Sequence, residues 1–370
     1  MSRLTRQVWA EVSLDHIAHN VQQFCTLLGP RCQLMAVAKA NGYGHGALET
    51  AYTMIANGTN WFAVALPEEG VRLRRGGITA PILVLGAVSA DELEVCVTQD
   101  LSVTVFEPHI ARRLSQAAVK WQKPAKVHIK VDTGMGRLGL LPEDFGELVE
   151  LVQSLPGLDI QGVFTHFARA DAPDLEYTQW QWSRFQKVRQ ELAEREVPVP
   201  YFHAANTAAT LFFPPSRLDL ARVGLGLYGL FPDKRRPLDL RPALTLKTRV
   251  AFVKRVPGGS AISYDSTYVT WKETSIVVLP IGYADGLARS MSNQGKVLIN
   301  GTLCPIVGRV TMDHTLVDVG NLPVKIGDEV ILIGSDGQNE ITADDWARWM
   351  GTINYEVTSQ LSARIERVYT

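Results

Sequence analysis

Leu34-Met35-Ala36-Val37-Ala38-Lys39-Ala40-Asn41-Gly42-Tyr43-Gly44-His45-Gly46 is the stretch that decides how this chain folds. An apolar run of strand character delivers one lysine at its end, and a loop with three glycines and an aromatic residue follows. Residues Ala47 to Ile55 then carry apolar positions three and four apart, which predicts a helix. Lysine is seldom found at the inner end of a buried strand unless it is paired or reactive. The residues alone leave two readings. A partly desolvated amine loses its proton easily and can form a Schiff base with an aldehyde cofactor. Alternatively, the lysine stem packs while its ammonium group reaches water.

The same rhythm recurs along the chain. Trp9 to Leu14 alternates like a strand, and Asp15 begins a helix that Gly29-Pro30 stops near Leu28. Apolar runs at Leu34–Val37, Phe62–Ala65, Ile82–Leu85, Val103–Phe106, Val127–Val131, Ile160–Phe164 and Tyr201–Ala204 each lead into a helical pattern. An eighth begins near Leu220. Eight strands alternating with helices point to a closed parallel (β/α)8 barrel of TIM type. An open doubly wound sheet is the competitor, but no G-x-G-x-x-G follows the first strand.

Near Pro232-Asp233-Lys234-Arg235-Arg236-Pro237 the rhythm breaks, and this charged, proline-flanked stretch reads as a linker. Beyond it the runs Leu244–Val253, Ser275–Leu279, Lys296–Ile299, Pro305–Val307, Leu316–Val319 and Glu329–Ile333 shorten or alternate. Turn residues separate them. A mostly β C-terminal domain is expected, with helices near Ala343–Trp349 and Tyr355–Leu361 before a last strand at Ala363–Tyr369. The expected boundaries are 14–237 for the barrel and 238–370 for the β domain.

A chain of 370 residues suits two domains. With 46% hydrophobic residues, 20% charged and a formal net charge of −1, the composition is that of a soluble globular protein. No basic run suggests a nucleic-acid partner. No apolar stretch is long enough for a membrane span, and Met1–Arg6 lacks a leader's apolar core, so a cytoplasmic location is expected. Cys25, Cys32, Cys96 and Cys304 show neither CxxC spacing nor histidine partners and read as reduced, and no H-E-x-x-H suggests a metal.

Barrel chemistry gathers on the loops after the strands, and the marked residues obey this. Lys39 ends the first strand. Asp132-Thr133-Gly134-Met135-Gly136-Arg137 follows another, Thr165-His166-Phe167 ends the next, and His203-Ala204-Ala205-Asn206-Thr207 the one after. Arg222-Val223-Gly224-Leu225 closes the set. Each has a plain alternative. Asp132 suits an Asx turn, His166 a core histidine, Asn206-Thr207 a helix cap, and Arg222 a surface ion pair. Those alternatives leave unexplained why five polar clusters share one end of successive strands.

Ala38-Lys39-Ala40-Asn41-Gly42-Tyr43-Gly44-His45-Gly46 resembles the pyridoxal-phosphate (PLP) lysine motif of the alanine racemases, which read K-A-N-A-Y-G-H-G, with Gly42 for alanine. The likeness spans nearly the whole chain and decides for the barrel. It implies the fold of that family and racemisation of L- and D-alanine, supplying D-alanine for peptidoglycan. It also implies that residues 1–13 return as a strand of the β domain. By resemblance Tyr43, Thr207 (where serine is usual), Gly224, Leu225 and Tyr355 hold the phosphate, with Asn206 beside them. A dianionic phosphate prefers such amide donors. Arg222 matches the arginine facing the pyridine nitrogen, with Val223 replacing a proline. His166 matches its support, Arg137 the contact to the phenolic oxygen, and Lys130 a lysine often carbamylated.

Racemisation needs acid–base groups on both faces of the cofactor. Lys39 serves one face. Ile262-Ser263-Tyr264-Asp265 resembles the segment supplying the other, which puts Tyr264 in that role, with the cations His166 and Arg222 expected to ease its ionisation. In the family this tyrosine comes from a second subunit together with Met312-Asp313, which implies a head-to-tail homodimer with shared active sites. Tyr283 and Tyr355 resemble an inner gate, and Arg309, Arg289 and Asp171 an outer ring. Tail residues Arg364-Ile365-Glu366-Arg367 depart from R-x-P-R, away from the expected chemistry. A broader racemase of small amino acids such as serine stays open. So do a PLP-dependent decarboxylase, which would need a carboxylate where Arg222 stands, and a non-catalytic PLP-binding protein, which lacks a β domain.

Overall fold

The computed structural model describes residues 7–370, so Met1–Arg6 and the reading of them lie outside the described residues. The chain divides into two compact units. One comprises His16–Tyr43 and Ala47–Pro242; the other comprises the described residues through Asp15, Gly44–Gly46 and Ala243–Thr370. Strand β1 (Val8–Val12) belongs to the second.

The first unit is a parallel barrel. Its strands are β2 (Gln33–Val37), β3 (Trp61–Val64), β4 (Ile82–Val84), β5 (Leu101–Val105), β6 (Ala125–Lys130), β7 (Leu158–Phe164), β8 (Tyr201–His203) and β9 (Leu220–Val223). They lie in the order β8-β7-β6-β5-β4-β3-β2-β9, so that β2, the first in sequence, pairs with β9, the last. Parallel strands covered on both faces read as near-continuous apolar runs, and β3, β4, β5 and β9 are buried along their whole length. Closure between β8 and β9 is not a regular ladder. The Asp219 amide donates to the Phe202 carbonyl at 3.1 Å, the Arg222 amide to Ala205 at 2.9 Å, and the Asp219 carboxylate accepts from the Phe202 amide at 2.8 Å. The helices keep their 3.6 periodicity against this sheet: Leu14–Leu28 buries Ile17, Val21, Phe24 and Leu28.

Residues 232–237 belong to the barrel unit. Arg235 stacks over Phe212 at 3.6 Å and donates to the Asp171 carbonyl at 2.9 Å, and Arg236 lies over Phe231 at 4.5 Å. Charge and proline read as a linker there, and its guanidinium planes lie on aromatic rings.

The second unit is mostly β. Its larger sheet uses β1, β10 (Leu244–Arg249), β15 (Lys296–Ile299), β16 (Thr302–Pro305), β18 (Glu329–Ser335), β19 (Glu340–Ile341) and β20 (Glu366–Tyr369). Its smaller sheet uses β11 (Phe252–Val256), β14 (Thr274–Leu279) and β17 (Thr315–Gly320), and β12 (Ala261–Ile262) and β13 (Tyr268–Val269) form a ribbon. β1 pairs antiparallel with β10 and parallel with β20. The run Leu244–Val253, which reads as one strand, is split between the two sheets. The Val250 amide donates to Asp328 while that of Ala251 donates to Val278, so the chain changes sheets between those two peptides. Ile262, Ile276 and Val307 form a core cluster here. Among the described residues no helix is long and apolar enough to cross a membrane.

Candidate active site

Lys39 stands two residues beyond β2, on a turn with an uncommon backbone. Ala40 (φ 52°, ψ 48°), Asn41 (φ 53°, ψ 49°) and Gly42 (φ 62°, ψ 46°) are all left-handed, and Tyr43 follows at φ 52°. Left-handed helix costs L-residues about 1–2 kcal/mol each, so Gly42, where the family has alanine, lightens the strain. Three bonds hold the turn. The Ala40 amide donates to Glu69 Oε1 at 2.6 Å, the Gly42 amide to the Ala38 carbonyl at 2.9 Å, and Asn41 Oδ1 accepts from the Ala47 amide at 3.0 Å. The Lys39 amine is depressed below its ordinary pKa, first by burial, then by Arg137, with Glu69 opposing.

Beyond β9 the Gly224 amide donates to Thr207 Oγ1 at 3.0 Å, and the Tyr43 hydroxyl occupies the space that a Cβ on residue 224 would fill. Glycine is therefore required there by close approach. Gly224, Thr207 and Tyr43 thus lie together, buried as is the neighbouring Leu225. Asn206 caps the helix Thr207–Phe212 by accepting from the Ala209 amide at 2.9 Å. The plain reading of Asn206 describes what its side chain does.

Arg222 is buried. Its Nη2 donates to the carbonyls of Thr165 at 2.8 Å and Ala204 at 2.9 Å and meets His166 Nδ1 at 3.2 Å, while Nη1 meets His203 Nδ1 at 2.9 Å. These partners are carbonyls and imidazoles, and none is a carboxylate. His203 Nε2 continues to His128 Nδ1 at 3.0 Å, making a buried line of polar groups inside the barrel. Because Arg222 can only donate, His203 must accept at Nδ1 and donate at Nε2.

His166 departs from its expected part. Desolvation and the neighbouring cations, Arg222 foremost, hold its imidazole well below the usual range. It is neutral at pH 7, so the cation lies on Arg222 alone. Asp132 makes the Asx-type loop expected of it, accepting from the amides of Gly134, Met135, Gly136 and Arg137 at 2.7–3.2 Å. Arg137 is thereby presented at the surface. Lys130 is buried, with its amine 5.5 Å from the Phe164 ring, and desolvation, then Arg137 and Arg222, pull its pKa down to about 8.

The remaining candidates lie in the second unit. Tyr264 is 70% exposed, on a turn with Ser263, Asp265 and Ser266 at φ 63°, 61° and 50°. That turn is tied to Arg309: Ser263 Oγ donates to its carbonyl at 2.7 Å and Asp265 pairs with its Nε at 3.4 Å. A tyrosine packed along a strand would not be so open. Tyr283 and Met312 are also exposed and sit on turns joined to each other: the Tyr283 amide donates to Thr311 and the Ala284 amide to Met312, at 3.0 and 3.1 Å. Tyr355 lies in the helix Asn354–Ser359, half-buried.

The tail requires a correction. Arg364 bonds Asp313 at 2.7 Å and pairs with the wholly buried Asp285 at 3.4 Å, so the segment expected to stand away from the candidate residues braces the two turns on which Tyr283 and Met312 sit. The arginine reaches back 51 positions to Asp313 and still further to Asp285, which local reading does not reveal. Sequence reading also missed Glu69. Its one local signal was a glutamate three residues after Leu66, at a helix start beginning with Pro67, a capping pattern. Among the described residues no cluster of metal-ligating side chains occurs.

Family models described as "Alanine racemase, N-terminal domain" and "Alanine racemase, C-terminal domain" match residues 12–232 and 243–369. An alanine racemase of Halothermothrix orenii is 45% identical over 370 residues, covering 99% of this chain and 98% of that one. The crystal structure of alanine racemase from D-cycloserine-producing Streptomyces lavendulae superposes with a TM-score of 0.96 at 36% identity, covering 100% and 98% of the two chains. A histidine racemase from Leuconostoc mesenteroides shares the fold at a TM-score of 0.91 and 29% identity, covering 100% and 99%.

Proposed function

The chain belongs to the alanine racemase family, and from that premise we propose that it interconverts L-alanine and D-alanine with pyridoxal 5'-phosphate as cofactor. Lys39 and Tyr264 are the two acid–base groups. The observation that carries the reading is a depressed lysine amine in the same unit as a phosphate-ready donor cluster and a buried arginine lacking a carboxylate. These residues fit the group: a Cβ at residue 224 would fill the space of the Tyr43 hydroxyl, and the donors there suit a phosphate. Bound there, the cofactor supplies an aldehyde for amines and an electron sink for the carbon that loses its proton.

This chain's residues do the rest. Tyr43, Thr207, Gly224 and Leu225 would hold the phosphate. Arg222 would face the ring nitrogen, and being always cationic it can only donate, which leaves that nitrogen unprotonated. By giving that nitrogen no proton, Arg222 would favour return of a proton to Cα, and so racemisation, over side reactions. Lys39 and Tyr264 each take or give a proton at Cα, one on each face. Arg137 would contact the phenolic oxygen, positioned by Lys130, whose amine near pKa 8 is ready for carbamylation.

The exposure of Tyr264, Tyr283 and Met312 within their own unit supports a head-to-tail homodimer in which one subunit offers these residues to the other's Lys39. Asp313 would line the substrate side with them. The likeness to a histidine racemase keeps side-chain range a matter of a few pocket residues. The test is racemisation in deuterium oxide. Solvent deuterium at Cα of alanine of both hands supports the proposal; release of carbon dioxide, or cofactor binding without turnover, overturns it.

A further inference from the structure

We propose that Glu69 is a positioning residue for Lys39, fixing the left-handed turn on which the amine is carried and balancing the charge around it. The inference rests on the acid–base role of Lys39 proposed above. Backbone in the left-handed region persists for non-glycine residues only where surroundings over-determine it, and such outliers mark functional sites. Here Ala40, Asn41 and Tyr43 all adopt it around Gly42, directly after Lys39.

The Glu69 carboxylate divides its work. Oε2 accepts from the amides of Ala65 at 2.8 Å and Leu66 at 3.2 Å, the second of these at the start of the helix Pro67–Arg75. A capping role is complete with that oxygen. Oε1 is committed elsewhere, to the Ala40 amide at 2.6 Å, the first peptide after Lys39. One charged group therefore joins the end of β3 to the residue beside the amine. Charge-assisted bonds of this kind are the short, strong ones.

Glu69 also supplies the negative charge in a positive neighbourhood. The groups acting on Lys39 are Arg137 on the loop after β6, Lys130 at the end of β6, and Glu69; His166 beyond β7 is held neutral. Removing the carboxylate leaves the amine among cations, so its proton should leave at lower pH.

The experiment compares Glu69→Gln and Glu69→Asp with the full-length, cofactor-loaded protein. It measures kcat against pH in both directions of racemisation, and amide hydrogen exchange of segment 39–46. Glu69→Gln should lower kcat about tenfold to a hundredfold with KM little changed. The limb set by Lys39 should move down by about one pH unit in each direction, and the segment should exchange faster. Glu69→Asp keeps the charge but is one methylene shorter. It should leave the limbs in place without restoring the rate. Limbs that stay put in Glu69→Gln, with rate loss matched by a lower Tm, reduce Glu69 to a helix cap and overturn the proposal, as do unchanged rates. Should Glu69→Gln not fold, Glu69→Asp decides: slower turnover with unmoved limbs supports, unchanged kcat overturns. Activity surviving in Lys39→Ala would sink the assignment of Lys39 itself, separately from any result at Glu69.

Discussion

In the proposed chemistry, position 222 makes the electronic choice. Buried, bonded to two carbonyls and two imidazoles, the arginine offers hydrogen bonds and takes none. A carboxylate there would serve the opposite chemistry, and this argues against a decarboxylase. Two substitutions test the acid–base pair. Lys39→Ala should remove both the visible absorbance of bound cofactor and the activity. Tyr264→Phe should keep the absorbance yet lower turnover roughly 10²–10⁴-fold in both directions, since each direction uses one group as base and the other as acid; a fully active phenylalanine variant refutes the two-group scheme. Lys130 gives a pH test with a defined sign. Carbamylation consumes the neutral amine, whose fraction grows as pH rises through about 8. At fixed dissolved carbon dioxide the carbamate signal in carbon-13 NMR should therefore build above that pH and fade below it. A signal that strengthens on acidification contradicts the assignment.

At the scale of elements, the barrel strands were legible because strands covered on both sides must be apolar throughout, and their chemistry-bearing ends follow from the topology. The left-handed turn after Lys39 was not legible. Alanine, asparagine and tyrosine carry no local demand for positive φ, and the partner that holds them, Glu69, lies 29 positions on. The same holds for the tail. Nothing near Arg364 announces that Asp285 and Asp313 will meet it, since the turns come together only when the sheets form. The charge expected on His166 was missed for another reason: proximity to Arg222 was foreseen, but not that burial, and then the crowd of cations, would keep the imidazole neutral. Arg364→Ala strips a buried carboxylate of its guanidinium and frees the turns bearing Tyr283 and Met312. It should cost about 1–3 kcal/mol in urea unfolding at fixed protein concentration and raise KM for alanine. Unchanged stability and KM would return the tail to a passive role.

In the whole molecule, each proposed site would take groups from two subunits. Lys39→Ala and Tyr264→Phe are each inactive alone on this view, but a mixed dimer holds one doubly damaged site and one intact site. Random reassociation of equal amounts should recover about a quarter of full activity, because half the dimers are mixed and each has one working site. Mixtures that stay inactive after demonstrated subunit exchange would place both groups in one chain. The arrangement of β1 has a different consequence, for synthesis. Its neighbours are β10 and β20, so it is made before both and waits for partners near residues 244 and 366. While the ribosome is still translating, the barrel can assemble, but that early ribbon keeps two open edges. Nascent chains stalled before the last strand should be the form that chaperones capture and that clumps when they are scarce.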